Sequence, residues 1–247
     1  MNRPTASEPE LSIVVPCHNE EANLRPLVEA IHEALDPLAI DYEIVITDDA
    51  STDGSWSLLA ALAHDDDRVR AQRFARNCGE SAASWAGMQT ARGRYLVTLD
   101  ADLQNDPAEI PRFLAALEHA DCVCGTRAAT RGEGDGWLRV VSSRVANWVR
   151  TRLAGDTITD AGCTYRAFRR ECLGGVHVFR GVHRFLPTLV GMEGHRVVEI
   201  PVVNRPRVAG RSHYGVWNRV FASSADLLAV RWMRSRHVHY EIDASAD

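Results

Sequence analysis

Five short runs rich in Val, Ile, Leu and Tyr recur through the first half of this chain, and four of them lead into a stretch with helical spacing. The runs fall at 11–16, 42–47, 69–74, 95–99 and 121–125. The helical stretches fall at 24–35, from Asp53 to 63, at 80–91 and at 107–119. Asn23 is the expected cap of the first helix, where Pro26 is tolerable only within the first turn. Asp53 is the expected cap of the second. Strand and helix in alternation imply an α/β fold: a mostly parallel central sheet covered by helices on both faces. In such sheets ligands bind outside the carboxyl ends of the strands, so chemistry is expected there.

The second half is less regular. Residues 126–136 are Gly-rich and charged, a loop expected to order over a bound ligand as closing lids do. Leu138, Val141, Val145, Trp148, Val149 and Leu153 repeat at helical spacing, giving an amphipathic helix over 137–153. A strand is expected at 196–203, an Arg/Gly loop at 204–215, and a helix at 216–236. That last helix sets Trp217, Phe221 and Trp232 among Arg219, Arg231, Arg234 and Arg236. Aromatic and basic residues together suit a helix lying in an anionic membrane interface. The expected organisation is a polar tail over 1–10, one domain over 11–215 with halves 11–125 and 126–215, and an amphipathic basic helix and tail over 216–247.

Composition removes several classes. Of 247 residues, 45% are hydrophobic and 25% charged, which excludes wholesale disorder. No eighteen-residue apolar run is present, and residues 1–10 lack the pattern of a secretory signal. The expected setting is cytoplasmic, with peripheral attachment to the inner face of the cell membrane. Six cysteines without a C-x-x-C pair read as reduced, packed thiols; Cys122 and Cys124 share one side of a strand. All 28 basic residues are arginine, which excludes lysine nucleophiles and a lysine-bearing phosphate loop. Residues 1–120 carry 9 arginines against 21 acidic residues, and 121–247 carry 19 against 12. An acidic first half suits a divalent metal, and a basic second half suits phosphates. No nucleic-acid-binding module accompanies the arginines, so nucleic acid is not an expected partner.

The sharpest motif is Asp100-Ala101-Asp102-Leu103-Gln104, directly after the fourth apolar run. Read as extended chain, it turns Asp100, Asp102 and Gln104 to one face. Two carboxylates and an amide oxygen are hard ligands suited to Mg²⁺ or Mn²⁺ holding a diphosphate. The first run opens into Pro16-Cys17-His18-Asn19-Glu20-Glu21, where His18 can stack on a base. The second opens into Asp48-Asp49-Ala50-Ser51-Thr52-Asp53, where Asp49 can accept from a base N–H. The third opens into Arg76-Asn77-Cys78-Gly79. No G-x-G-x-x-G follows the first run, which argues against a dinucleotide site.

These motifs resemble glycosyltransferase family 2, whose fold is called GT-A. PCHNEEANL (16–24), ITDDASTDGS (46–55) and LDADLQNDP (99–107) are similar to three of its signatures in order. DAGCTYRAFRR (160–170), HRFLP (183–187) in a loop-to-helix stretch, and RPRVAGRSHYG (205–215) are similar to stretches of its polyprenyl-phosphate sugar transferases, the dolichol-phosphate-mannose synthase branch. The resemblance implies that Pro16, His18, Glu20, Thr47 and Asp49 hold base and ribose. It implies that Asp100 and Ala101 touch the donor, and that Asp102 and Gln104 bind the metal with Asp100 close by. It places Arg127 near sugar and phosphates, and Arg207 and His213 over the diphosphate. A stacking Tyr of the family is His18 here, and the Lys of its S-K-Y-G turn is His213.

The implied reaction is inverting, metal-dependent transfer from GDP-mannose or a UDP-sugar to a polyprenyl phosphate. Cations stabilise the departing nucleoside diphosphate. A phosphate acceptor, with a second pKa of about 6, is already ionised and needs no base. On that reading Asp160 orients an arginine such as Arg127. Two alternatives stand beside it: a sugar hydroxyl acceptor with Asp160 as general base, and a non-catalytic nucleotide-sugar-binding scaffold.

Overall fold

A computed structural model of the chain describes residues 8–127, 151–153, 155–203, 205 and 216–238, the side chains of 216–224 excepted. Seven strands form one sheet: β1 (Leu11–Cys17), β2 (Tyr42–Asp48), β3 (Val69–Arg73), β4 (Tyr95–Thr98), β5 (Cys122–Thr126), β6 (Arg166–Arg169) and β7 (Val197–Pro201). Their order is β3-β2-β1-β4-β6-β5-β7. Neighbours run parallel except β6, which runs antiparallel to both β4 and β5. The helices are α1 (Glu21–Leu35), α2 (Ser55–Asp65), α3 (Glu80–Thr90), α4 (Ile110–Leu117), α5 (Val182–Met192) and α6 (Val216–Arg236).

Alternation along the strands builds two cores. Leu11, Ile13 and Val15 of β1, with Ile44, Ile46, Val97 and Val123, bury against α1, α2 and α4 through Leu27, Ile31, Leu59 and Phe113. Val14, Val45, Leu96 and Phe168 take the opposite face, against α3 and α5 through Met88, Leu186 and Leu189. Cys122 and Cys124 lie in this second core with sulfurs 3.8 Å apart, as free thiols. The sheet, buried on both faces, explains the near-continuous apolar runs.

Several local expectations need correction. Helix α1 starts at Glu21 rather than 24, because the loop after β2 fixes its entry: Glu20 N–H donates to Ser55 Oγ at 3.0 Å and Glu21 N–H to Asp53 Oδ2 at 3.3 Å. Asn23 therefore sits inside the first turn, donating Nδ2 to Glu20 Oε2 at 2.6 Å, and caps nothing; Pro26 falls in the second turn. Helix α2 begins at Ser55 with Gly54, not Asp53, at the N-cap, and Asp53 just before the cap accepts from Ser55 N–H at 3.0 Å. The 107–119 stretch opens as a 3₁₀ turn, Pro107–Glu109, capped by Asp106 before α4 begins. Strand β6 went unforeseen, since only four residues with an arginine at each end form it. The expected loop 126–136 and helix 137–153 lie almost wholly outside the described residues.

Helix α6 packs on α5 through Leu227 and Val230 against Phe185. Its outer side leaves Leu228 61% and Trp232 63% exposed. Among the described residues no helix is long and apolar enough to cross a membrane.

At Gly93 the chain entering β4 passes against β1. A Cβ there would lie 2.6 Å from Ser12 N and 2.7 Å from the Leu11 carbonyl carbon, both rigid backbone. Gly93→Ala is expected to destabilise the fold by about 1–3 kcal/mol through overpacking, read as a lower urea midpoint with unchanged slope.

Candidate functional site

The loops leaving β1, β2, β3 and β4 meet along one edge of the sheet. Three of them turn on residues with positive φ and no glycine: Asn19 (57°), Ala50 (55°) and Leu103 (62°). Left-handed backbone is disfavoured for Ala and Leu, so tertiary contacts must hold it there. Asn19 is fastened by its own side chain, whose Oδ1 accepts from Thr52 N–H at 2.8 Å, while its N–H donates to Ser51 Oγ at 2.9 Å.

Asp48 and Asp49 have separate tasks. Asp48 is fully buried; Oδ1 accepts from Ser51 N–H at 3.1 Å and Oδ2 pairs with Arg73 Nε at 3.0 Å. Asp49 gathers the loop after β3, accepting Cys78 N–H at 2.6 Å on Oδ1 and Gly79 N–H at 2.8 Å on Oδ2. Each Asp49 oxygen retains a second lone pair for a ligand. His18 is exposed above this pair, its Nδ1 2.9 Å from the Asp49 carbonyl oxygen, and Asn77 Nδ2 reaches the same carbonyl at 3.3 Å. Exposed His18 and Asn77 beside Asp49 make a polar shelf with one flat ring. Glu20 shares its carboxylate with Asn23. Thr47 is completely buried and accepts from Gln72 Nε2 at 2.8 Å, so it lies beneath the shelf, below the surface.

The carboxylates after β4 come together by a different route from the one expected. The strand ends at Thr98, and 101–103 form a turn with Leu103 left-handed, so Asp100, Asp102 and Gln104 are arranged by a turn and not by strand alternation. Asn105 Oδ1 accepts Asp100 N–H at 3.0 Å, and Asp102 Oδ1 accepts Gln104 N–H at 3.1 Å, closing that turn. Thr164 Oγ1 donates to Asp100 Oδ2 at 2.6 Å. Burial pushes the Asp100 carboxyl up, the Asp102 charge pushes it the same way, and the Thr164 hydroxyl, Arg127 and Arg166 oppose. Asp102 is itself only 5% exposed. A half-buried and a buried carboxyl that repel each other, with Gln104 on the same turn, form a hard-oxygen set that a divalent cation would neutralise. Among the described residues no group of three or more His, Cys, Asp or Glu forms a metal cluster, so such a cation would rest on this mixed set.

Across from Asp100, Arg127 Nε donates to Asp160 Oδ2 at 2.8 Å and a terminal nitrogen to Oδ1 at 3.2 Å, a two-pronged pair. Burial alone would lower the Arg127 pKa, but the Asp160 hydrogen bonds together with the charges of Asp160, Cys163 and Asp100 outweigh it and the net shift is upward. Asp160 is 3% exposed, and Glu199 Oε1 accepts its N–H at 3.2 Å. Ala101 is buried between the two carboxyls. Thr164, Asn105 and Arg166 were not singled out individually from sequence, although Thr164 and Arg166 lie within the 160–170 motif. Arg207 and His213 lie outside the described residues.

Comparison with known proteins bears on the family and the fold. The model of glycosyl transferase family 2 matches residues 12–175. An undecaprenyl-phosphate 4-deoxy-4-formamido-L-arabinose transferase of Aeromonas hydrophila is 36% identical over 85% of the chain. A dodecaprenyl-phosphate galacturonate synthase of Rhizobium johnstonii is 36% identical over 90% of it. The alignments span 64% and 66% of those two relatives' own lengths. Among solved structures, a mannosyltransferase from Pyrobaculum calidifontis with GDP-Man and Mn²⁺ superposes with a TM-score of 0.61 at 19% identity, over 93% of this chain and 71% of that one. Glucosyl-3-phosphoglycerate synthase from Mycobacterium tuberculosis with Mg²⁺ and UDP gives 0.63 at 19%, over 95% and 85%. These structural likenesses establish the GT-A fold.

Charging Asp100 opposes folding, because its folded pKa lies above the unfolded value. That penalty is absent below the ordinary carboxylate range and grows as pH rises through the folded pKa. Metal-free Asp100→Asn is therefore expected to melt above the parent chain at neutral pH, with the gap closing as pH falls towards 4. Thermal melts across pH check the sign.

Proposed function

The chain belongs to glycosyl transferase family 2, and from that premise we propose that it moves a sugar from a nucleotide-sugar to a polyprenyl phosphate, with inversion. The observation that carries this reading is the pair Asp100 and Asp102 at the end of β4, faced by an Arg127 locked to Asp160. The named relatives act on undecaprenyl and dodecaprenyl phosphates, which supports a lipid phosphate acceptor.

In the proposed layout 11–125 is the nucleotide half, 126–215 the acceptor half and 216–247 the basic helix and tail. Pro16, His18, Glu20 and Asp49 receive base and ribose, with Thr47 supporting them from below. Asp100 and Ala101 meet the donor, while Arg207 and His213 close over the diphosphate. The residues fit Mg²⁺ or Mn²⁺, which Asp102 and Gln104 would hold with Asp100 beside them. When bound, that cation supplies charge neutralisation for the leaving diphosphate. Arg127 adds a fixed positive charge near sugar and phosphates without reorganising, because Asp160 grips it with both oxygens. That grip leaves Asp160 poorly placed as a base, and an ionised acceptor phosphate requires none. Leu228 and Trp232, exposed beside Arg231 and Arg236 on α6, suit a membrane surface where the lipid phosphate is presented.

Transfer to a short polyprenyl phosphate, assayed with GDP-, UDP- and dTDP-sugars, is expected with Mn²⁺ or Mg²⁺ and to vanish with chelator. Asp102→Ala is expected to lose at least about a hundredfold in turnover, in line with removal of a charge-stabilising group. Unchanged turnover in that variant overturns the proposal. Asp160→Asn is expected to lower turnover at every pH without removing a limb of the pH–rate profile; loss of a limb would instead assign a hydroxyl acceptor with Asp160 as base.

A further inference from the structure

Arg205 reaches the turn after β4 from the far side of the sheet. Its segment leaves β7, an edge strand that β6 and β5 separate from β4. The segment is fastened as it crosses back towards β4. Val202 N–H donates to the Thr126 carbonyl at the end of β5 at 3.0 Å, and a terminal nitrogen of Arg112 on α4 donates to the Pro201 carbonyl at 3.0 Å. The crossing ends on the turn itself. Arg205 N–H donates to the Gln104 carbonyl at 3.0 Å, and its guanidinium pairs with the Asp106 carboxylate.

Asp106 is a fixed post for that pair. Its carbonyl accepts the hydroxyl of Tyr165 at 2.8 Å, and Tyr165 is wholly buried, its ring 4.3 Å from that of Phe113. One Asp106 carboxylate oxygen accepts Ala108 N–H at 3.0 Å and the other takes the guanidinium. Arg205 therefore spans from a post tied to the core to the backbone of Gln104.

Leu103 gives that span its purpose. Leucine resists left-handed backbone, so the turn tends to open unless it is held on both sides. On one side the Asn105 side chain holds Asp100 N–H. On the other, Arg205 holds the carbonyl of the residue that follows Leu103. Asp102 and Gln104 flank Leu103, so an opened turn separates the two residues that the transferase reading gives to the cation. Resting on that reading, we propose that Arg205 is a positioning residue: through Asp106 and the Gln104 carbonyl it keeps the 100–104 turn in the shape that binds Mg²⁺ or Mn²⁺. It acts from outside the ligand set, as hydrogen-bond partners behind metal ligands do.

Calorimetric titration of the whole chain with preformed Mn²⁺–UDP or Mn²⁺–GDP tests this without any turnover. Arg205→Gln is expected to weaken binding of the accepted complex about tenfold, the loss usual for a partner behind a metal ligand. Asp106→Asn, which keeps an acceptor for Ala108 N–H, is expected to weaken it equally. The double variant is expected to bind no worse than either single one, because both changes break one link. The pair is partly exposed, 54% for the Arg205 side chain and 19% for Asp106. All three variants are therefore expected to melt within about 3 °C of the parent chain without metal. Unchanged affinity in either single variant overturns the inference. So does a double variant weakened about a hundredfold, since additive losses mean that Arg205 touches the diphosphate itself. A larger fall in metal-free melting also overturns it, by making the pair a support of the whole fold. If the parent chain binds neither complex, the cation in the transferase reading fails first; binding by the parent with no change in the variants removes this inference alone.

Discussion

The reversed entry of β6 between β4 and β5 is the constraint on which the site depends. A parallel sheet delivers loops to one edge, but it cannot by itself bring a distant segment back against the loop leaving its own central strand. Because β6 runs the other way, the residues just before it, Asp160 to Thr164, arrive at the same edge that β4 leaves. Thr164 then reaches Asp100, and Asp160 reaches Arg127 at the end of β5. Removing that pairing would leave two acidic residues on a turn with nothing opposite them. The antiparallel strand turns the β3-β2-β1-β4 half of the sheet into a cleft with two walls.

Electrostatics in this cleft are arranged as tension. Asp100 and Asp102 are held close and largely out of water, while Arg127 is kept from moving in to neutralise them by its own bidentate partner. Asp160 therefore fixes where positive charge sits instead of merely cancelling it. Such preorganised charge costs folding stability and is useful only when a ligand completes it.

Much of this was legible in the sequence, and the failures have physical causes. The strand–helix alternation located β1 to β5 and the ligand edge, because a sheet buried on both faces needs apolar runs long enough to read. The carboxylates of 100–104 were found for the wrong reason: strand alternation was invoked where a turn with left-handed Leu103 does the work. The start of α1 was misplaced because a contact from the loop after β2, distant in sequence, sets it. Strand β6 stayed hidden since Arg166 and Arg169 break the apolar signal that betrays its neighbours. Thr164 carried no signal beyond its place in a motif, as its role exists only once β6 folds back. The two amides held by Asp49 were equally invisible, being backbone groups.

Asn19, Ala50 and Leu103, all in left-handed backbone that the side chains of Ala and Leu resist, sit at three of the four loops bordering the cleft. Glycine at Ala50 or Leu103 would relax those bends. Heat tolerance and substrate handling thus draw on the same few dihedral angles. A lineage pressed to survive at higher temperature would find relief closest to hand in the very corners that shape its ligand edge, and would surrender definition there first.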